Sequence, residues 1–346
     1  MSDHESFRPR ISDIALIAGV GTATVDRVLN NRPGVRAATV EKVRAAEREL
    51  ALSGMRPQLI QPAPAGLLLR AFLGGPPGFA NEVLARELRA VARARGVTLQ
   101  VEFPRRTDPA AQAAALLACI ENGTGGVIVQ PAEHPLVRDA VARLQAAGVP
   151  VISVLSTLPG LPGLPYVGLD NRAAGRLAGQ ILANLIGKKG KIAYFFSDAI
   201  YRSHEEREAG LRSILREEFP AVEVVETLST NDSPDQCFRL GTDLFARRRD
   251  LAGVVNFAAG NRGLERAIAD AGLAGSLCFV SFNLTALSRK ALIERTMAAV
   301  VHQDMGQIAA RAVAALIAQR RGETPVLRPV PAELILRENL RDADEG

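Results

Sequence analysis

Few cysteines, few histidines and no long apolar runs limit what this sequence can encode. Its three cysteines are widely spaced without a C-x-x-C pair, and its four histidines have no metal-ligand spacing. We interpret Cys119, Cys237 and Cys278 as buried, unreactive thiols and expect no metal site. No apolar run approaches the ~18 residues of a membrane span, and residues 1–10 lack the apolar region of an export signal. We therefore expect a cytoplasmic protein with no membrane partner.

Common catalytic and phosphate-binding motifs are also missing. The chain contains no G-x-x-x-x-G-K-[ST], no G-x-S-x-G and no G-x-G-x-x-G. The glycine-rich segment at residues 74–78 includes prolines, which lack the N–H groups that a phosphate cradle needs. We therefore predict a protein that is not an enzyme and that uses no cofactor.

The length of the chain predicts more than one compact unit. A sequence of 346 residues exceeds what a single hydrophobic core normally supports, so we expect two or three units. Its hydrophobic content of 47% with 23% charged residues is ordinary for a soluble globular protein. The net charge of +5 permits nucleic-acid binding but does not demonstrate it.

Residues 11–50 have the pattern of three short helices. Ser12 is placed to cap a helix over residues 13–18, and Gly19 is placed to end it in a left-handed conformation. A second helix over residues 22–30 would turn a small and polar face outward. That face carries Thr22, Ala23, Asp26, Arg27 and Asn30. Two such helices joined by a glycine-containing turn are typical of a helix-turn-helix, although the spacing alone fits a plain helical hairpin equally well.

The residues themselves separate these alternatives. The string Asp13-Ile14-Ala15 … Ala18-Gly19-Val20 … Thr24-Val25 … Arg27-Val28-Leu29-Asn30-Asn31, with Val35, Thr39 and Val43 after it, closely resembles the headpiece of LacI-family bacterial transcription regulators. The resemblance implies a homodimer that binds double-stranded operator DNA. It places Thr22, Ala23 and Arg27 at base-reading positions and Asn30 and Thr39 at backbone-contacting positions.

Two residues depart from the family pattern. Gly21 stands where the family usually has a Ser or Thr that caps the helix and touches phosphate, and Asp26 stands where a Ser is usual. Phosphate repels a carboxylate unless that carboxylate accepts a hydrogen bond from a cytosine amino group, so the operator is expected to be unusual. The predicted DNA-binding residues are Gly21, Thr22, Ala23, Asp26, Arg27, Asn30 and Thr39.

Residues 55–65 form a boundary rich in proline. In the resembled family this region is a hinge helix that inserts a Leu into the minor groove. Here the position of that Leu falls on Pro64, and Pro62 would break the helix in mid-course. We therefore favour a semi-rigid linker over a hinge helix.

From Gly66 onward, short apolar strands alternate with helical patterns, which predicts parallel sheets covered by helices. A Pro/Gly-rich stretch at residues 159–165 divides this repeat into two similar lobes. We predict an α/β protein in which an all-α headpiece, residues 1–54, and the linker precede two doubly wound lobes in an effector domain, residues 66–340. Lobe one covers about 66–158 plus 302–322, and lobe two about 164–284 plus 325–340. This clamshell resembles the periplasmic-binding-protein fold, which implies three crossings, near residues 155–164, 282–301 and 321–327.

Polar residues at strand ends are the candidates for binding an effector. Asp170 follows a strand, where it can accept hydrogen bonds from sugar hydroxyls, and it can also cap the next helix. Arg207 lies in a Ser…Arg-x-x-Gly segment that resembles the effector-gripping motif of the family. Its neighbours at helical spacing include no acid for a surface ion pair. The full set of predicted effector-binding residues is Phe79, Asn81, Asp170, Arg207, Asn261, Asn283 and Gln303.

Two positions in the candidate site lack an acid that the resemblance leads us to expect. The first is Ala258, for which Asn261 or Arg262 would substitute, and the second is Asn283. These losses make the site less negative, so an acidic group on the ligand would fit. Gln303 matches a cleft-lining Gln of the family. Phe79 and Asn81 are placed to supply a stacking ring and an amide, and a plain core role fits Phe79 equally well.

We therefore expect a ligand-responsive transcription regulator, a repressor of a catabolic or transport operon. A sugar, polyol or related small polar metabolite bound between the lobes would control its affinity for the operator. The alternative is a soluble small-molecule receptor of the periplasmic-binding-protein type without a role on DNA.

Overall fold

The chain folds into a small helical unit followed by two α/β lobes, as the sequence predicts. The computed structural model describes residues 11–18, 20–30, 32–53, 64, 66–75, 79–197, 201–325 and 327–340. The helical unit contains α1 (Ile11–Ala18), α2 (Thr22–Leu29) and α3 (Ala37–Ser53). Because α1 begins at Ile11, Ser12 lies in its first turn rather than at the N-cap.

A small apolar core holds the three helices together. Its buried members repeat at helical spacing along each helix: Ile14, Ala15, Val25, Val28, Val43, Ala46 and Leu50. Packing of these faces supplies the stability, since isolated helices of eight residues are marginal in water. The proline-rich segment expected at residues 55–65 lies outside the described residues except for Pro64, whose carbonyl oxygen accepts a hydrogen bond from the Leu67 N–H.

The first lobe is built on a five-stranded parallel sheet in the order β2-β1-β3-β4-β5. Its strands are β1 (Leu68–Phe72), β2 (Thr98–Glu102), β3 (Gly126–Val129), β4 (Val151–Val154) and β5 (Tyr166–Val167). The connecting helices are α4 (Phe79–Ala94), α5 (Pro109–Glu121) and α6 (Pro135–Ala146). Both β3 and β4 are buried along their whole length, as expected for strands covered by helices on both faces.

The second lobe is built on a six-stranded sheet in the order β11-β10-β9-β8-β6-β7. Its helices are α7 (Asn171–Leu185), α8 (Arg202–Glu218), α9 (Pro234–Arg247), α10 (Asn261–Asp270) and α11 (Ala286–Ile293). Its strands are β6 (Gly190–Phe196), β7 (Val222–Ser229), β8 (Leu251–Asn256), β9 (Cys278–Phe282), β10 (Ala299–Gln303) and β11 (Ala332–Ile335). Only β11 among these six strands runs antiparallel to its neighbour.

The last long helix, α12 (Met305–Arg320), returns to the first lobe. Its apolar residues share a core with β1 and α4, whereas β10 just before it pairs with β9 of the second lobe. The chain therefore crosses after Gln303, not within residues 282–301 as predicted. Similarly, β5 pairs with β4, so the first sheet extends beyond residue 164.

The third crossing also lies later than predicted. Val330 packs in the core of the first lobe and bridges to Leu169, and β11 begins two residues later in the second lobe. Two of the three connections therefore run side by side between the lobes. Among the described residues, no helix has both the length and the apolar character needed to cross a membrane.

Candidate functional site

A cavity of about 440 Å³ lies where the two sheets face each other across the crossings. Residues from the carboxyl ends of strands in both lobes line it, which is where ligands bind in doubly wound folds. The first lobe contributes Gly74, Ala80, Asn81, Glu82, Arg106, Gln130 and Leu155. Polar and aromatic contributors from the second lobe include Tyr201, His204, Arg207, Asp232, Asn261, Phe282, Asn283 and Gln303.

Arg207 lies in the wall of this cavity with only 4% of its surface exposed. Its Nε donates to Asn171 Oδ1 at 2.9 Å, and its Nη1 donates to the Phe257 carbonyl oxygen at 3.2 Å. Its guanidinium lies 4.3 Å from the centroid of the Phe282 ring, within cation–π distance. Burial lowers the pKa of Arg207 to about 10, so the side chain still carries its charge at neutral pH.

Two glycines allow α7 and α8 to approach closely enough to bury Arg207. A Cβ at Gly175 of α7 would overlap the Arg207 carbonyl oxygen, and a Cβ at Gly210 of α8 would overlap the Arg172 carbonyl oxygen. The backbones of the two helices therefore touch directly. The glycine in the Arg-x-x-Gly segment thus serves helix packing, which in turn fixes where the guanidinium lies.

Asp170 does not line the cavity. It is the N-cap of α7, where its exposed side chain accepts a hydrogen bond from the Ala173 N–H at 2.8 Å. The structure thus gives Asp170 the capping role, because its carboxylate turns toward the first turn of the helix. The next residue, Asn171, is the one that reaches Arg207.

Three predicted residues lie together in the cavity wall of the second lobe. Asn261 Oδ1 accepts hydrogen bonds from Asn256 Nδ2 at 2.6 Å and from the Ser281 hydroxyl at 2.7 Å. Asn283 has a positive φ of 67°, which asparagine tolerates better than most residues, and its Oδ1 accepts from Gln303 Nε2 at 2.9 Å. Gln303 Oε1 is buried without a partner among the described residues, so it can accept a hydrogen bond from a ligand.

The first lobe contributes a second amide pair. Asn81 Nδ2 donates to the Gly74 carbonyl oxygen at 2.8 Å and to Gln130 Oε1 at 3.0 Å. Gln130 was not predicted from sequence, although its place directly after β3 is the signal that selected the other strand-end residues. The stacking role expected of Phe79 falls on a side chain outside the described part of the structure.

Contacts across the cavity hold the two lobes together. Arg106, after β2, forms an ion pair with Asp232, after β7, and donates to the Asn231 carbonyl oxygen at 3.2 Å. The Tyr201 hydroxyl lies so close to Gly74 that a Cβ there would collide with it. We call the Arg106–Asp232 ion pair the interlobe latch. None of these residues was predicted, because their partners lie far away in sequence.

His204 also faces the cavity, and it is neutral. Burial, together with the nearby cations Arg207 and Arg106, lowers the pKa of His204 to about 3. Its Nδ1 is buried without a hydrogen-bond partner among the described residues. The ring therefore adds one polar nitrogen without a partner, and no charge, beside the cavity.

The outward face of α2 carries the predicted base-reading residues. Thr22, Ala23 and Arg27 are all exposed, while Val25 is fully buried. Gly21 is the N-cap in an extended conformation and makes no side-chain cap, so backbone N–H groups of the first turn stay available. These features leave the N-terminal end of α2 open for close approach to another molecule.

The unexpected carboxylate on this face already has partners. Asp26 Oδ2 pairs with Arg32 at 3.1 Å, and Asp26 Oδ1 accepts from Asn30 Nδ2 at 2.8 Å. The ion pair offsets the negative charge that would otherwise repel phosphate. Thr39 lies half-buried near the start of α3.

Comparison with known families assigns the class of the larger part of the chain. The model of the periplasmic binding protein domain family matches residues 76–324, and the chain belongs to that family. The model of the lacI family of bacterial regulatory proteins matches residues 10–53. With both units present in one chain, this protein is a lacI-family DNA-binding regulator, and neither matched family is one of enzymes.

Individual relatives match the two lobes at low sequence identity. The ribose import binding protein RbsB of Bacillus subtilis (strain 168) is 22% identical over 139 residues, which span 40% of this chain and 45% of that protein. A solute binding protein of Burkholderia graminis C4D1M, solved with D-arabinose, has a TM-score of 0.75 at 19% identity, covering 80% of this chain and 96% of that one. A second, from Actinobacillus succinogenes 130z with D-allose, has a TM-score of 0.73 at 20% identity, covering 79% and 98%. These structures show the shared fold.

Proposed function

We propose that this protein is a repressor of a catabolic or transport operon, and that a sugar, polyol or related polar metabolite in the interlobe cavity controls its affinity for operator DNA. One observation carries the proposal: a single chain combines a lacI-family headpiece, which we call the reader, with a polar cavity lined from both lobes. In this proposal residues 1–54 read DNA, residues 55–65 link, and residues 66–340 bind the effector.

The geometry of α2 supports the DNA-binding part of the proposal. A helix of this kind lies in the major groove with its N-terminal residues toward the base edges. Thr22 and Ala23 are small and exposed there, and Arg27 follows one turn later. Two copies of the chain would read two half-sites, so we infer a homodimer acting on DNA in the cytoplasm.

The cavity supports the effector-binding part. Its volume of about 440 Å³ lies within the range of ~300–1,000 Å³ that is usual for small-molecule sites. Asn81 and Gln130 from one lobe, with Asn283 and Gln303 from the other, supply amide groups that suit hydroxyls. Solved neighbours of the same fold contain D-arabinose and D-allose, which agrees with this chemistry.

A ligand that touches both lobes provides the control. It shifts the balance between open and closed lobes only by its difference in affinity for the two states. The reader is joined to the first lobe, so a change of lobe angle would alter the separation of two paired readers. DNA half-sites have a fixed spacing, so that separation sets the affinity.

Salt-titrated DNA binding by the full-length chain tests the proposal. We expect tight binding to DNA from its own promoter, weaker binding to random DNA, and a steep salt dependence for both. D-Arabinose, D-allose and D-ribose, each with and without added promoter DNA, are the first effectors to try. If no DNA binds even at low salt while a ligand still does, the protein acts instead as a receptor without a role on DNA.

A further inference from the structure

The charge of Arg207 is buried among neutral groups. Its described partners are an amide oxygen of Asn171, a carbonyl oxygen of Phe257 and the face of the Phe282 ring. Among the residues that the structure describes, no carboxylate lies within ion-pair distance of it. Burying a charge without an ionic partner is costly, so such a group is normally paired.

Arg207 keeps unused hydrogen-bond donors in the cavity wall. A guanidinium has five N–H donors, and Arg207 uses one on Nε and one on Nη1, so three remain at the Nη1 and Nη2 end. Nη2 donates to none of the described residues, and Arg207 is part of the cavity wall. This end of a guanidinium can bind a carboxylate or a phosphate through two parallel N–H groups.

The other charges around the cavity do not compensate Arg207. Arg106 and Asp232 neutralise each other in the interlobe latch. Glu82 and Arg262 are exposed at the rim, where water screens them. His204 is neutral. Glu206, next to Arg207 in sequence, interacts with its charge but forms its own ion pair with Arg202 at 3.6 Å. The enclosed part of the cavity therefore carries a positive charge that no ion pair among the described residues neutralises.

We propose that the effector is an anion: a polyhydroxylated molecule of monosaccharide size that carries one carboxylate or phosphate group bound by Arg207. This inference rests on the proposed function and adds the charge of the ligand to it. The hydroxyls of the ligand meet the amides of the cavity, where the unpartnered Gln303 Oε1 accepts from one of them. The positions of Ala258 and Asn283 agree with this, because neither carries the negative charge that would repel an anion.

The test is calorimetry of the full-length chain with matched pairs of ligands at constant ionic strength. D-Gluconate is compared with D-glucitol, D-glucose 6-phosphate with D-glucose, and D-glycerate with glycerol. We expect at least one anion to bind about 10–100-fold more tightly than its neutral partner, as for hydrogen bonds to a charged group. The gluconate and phosphate arms distinguish a carboxylate from a phosphate ligand.

Two variants assign the preference to Arg207. In Arg207→Gln the preference for the anion should disappear, and in Arg216→Gln, the same change at an exposed position of α8, it should persist. Circular dichroism checks that both variants fold. The comparison of ligand pairs on the unaltered protein stands even if Arg207→Gln does not fold.

Three results would overturn the inference. One is that, in all three pairs, the neutral ligand binds as tightly as its anionic partner. Another is retention of the preference in folded Arg207→Gln. The third is failure of all the anions, and of inorganic phosphate at millimolar concentration, to raise the melting temperature above that in sodium chloride of equal ionic strength. If a neutral sugar releases the protein from promoter DNA, this inference fails and the proposed function stands. If an anion binds but the chain does not bind DNA, the proposed function fails and this inference stands.

Discussion

The interlobe latch should set how readily the two lobes close. Asp232 has 6% of its side chain exposed and Arg106 has 19%, so the ion pair is largely shielded from water. Opening the lobes would return both groups to water, because they belong to different lobes. We therefore expect the latch to act on the balance between open and closed states rather than on folding. We take its contribution as ~1–3 kcal/mol, above an exposed pair and below a fully buried one.

The change that isolates this contribution is Asp232→Asn. Asp232 Oδ1 accepts a hydrogen bond from the Ala259 N–H at 2.6 Å. The amide oxygen of asparagine can keep this hydrogen bond, so the variant loses only the charge. If the latch supplies ~1–3 kcal/mol to closure, the apparent affinity for an effector should fall about 5–150-fold in this variant, because less of the protein is in the closed state. Calorimetry measures the affinity, and energy transfer between dyes on the two lobes measures the closed fraction.

The second variant, Arg106→Ala, removes a confounding effect of charge. Asp232→Asn makes the cavity more positive and Arg106→Ala makes it more negative, so they should affect binding of a charged ligand in opposite directions. Both nevertheless break the latch. Loss of affinity in both variants, with a coupling energy in the double variant, identifies the latch as the cause. Unchanged dye distances and affinities in both would show that the ion pair has no part in closure.

Three further predictions concern the reader, the packing of the second lobe and acid stability. Arg27→Ala should cost ~1–3 kcal/mol at the cognate site and relax the preference at one base pair, measured by competition among operator variants; equal weakening on all DNA would make Arg27 a phosphate contact. Gly175→Ala should lower the melting temperature, because its Cβ would overlap the Arg207 carbonyl oxygen, whereas Gln180→Ala on the exposed face of α7 should not. The pKa of His204 is about 3 in the folded protein against 6.5 for a free histidine, so unfolding takes up a proton between these pH values. The contribution of neutral His204 to stability is therefore complete above about pH 6.5 and is lost as the pH falls toward 3. Denaturant titrations of His204→Gln should therefore show a weaker loss of stability between about pH 6 and pH 4, and an unchanged profile would contradict the assignment.

Local patterns in the sequence were enough to predict most elements of the fold. Apolar residues alternate along exposed strands and run continuously through buried ones such as β3, and each run is followed by a helical period. The first crossing was misplaced because the strand at residues 166–167 was assigned to the second lobe, whereas β5 pairs with β4 of the first. Likewise β10 was assigned to a crossing, since sequence does not reveal which sheet a strand joins.

The candidate site was predictable where position along the chain determines it. Arg207, Asn261, Asn283 and Gln303 line the cavity because the ends of parallel strands share one edge of a sheet. Asp170 shows the limit of this reasoning, since the same residue at the same strand end can face the cavity or cap a helix, and only the side-chain rotamer decides.

The latch and Arg207 act on closure in opposite directions when no effector is bound. The latch joins side chains of different lobes, so we expect it to stabilise the arrangement in which these two charges are in contact. Closure would also bring walls from the first lobe over the cavity, which would remove water from the unused donors of Arg207 and leave its charge without a partner. An anion restores that partner only when it sits between the lobes, so its affinity is greater for the closed state. In the proposed function, the difference between those two affinities, rather than the total affinity, would be the free energy available to move the readers on DNA.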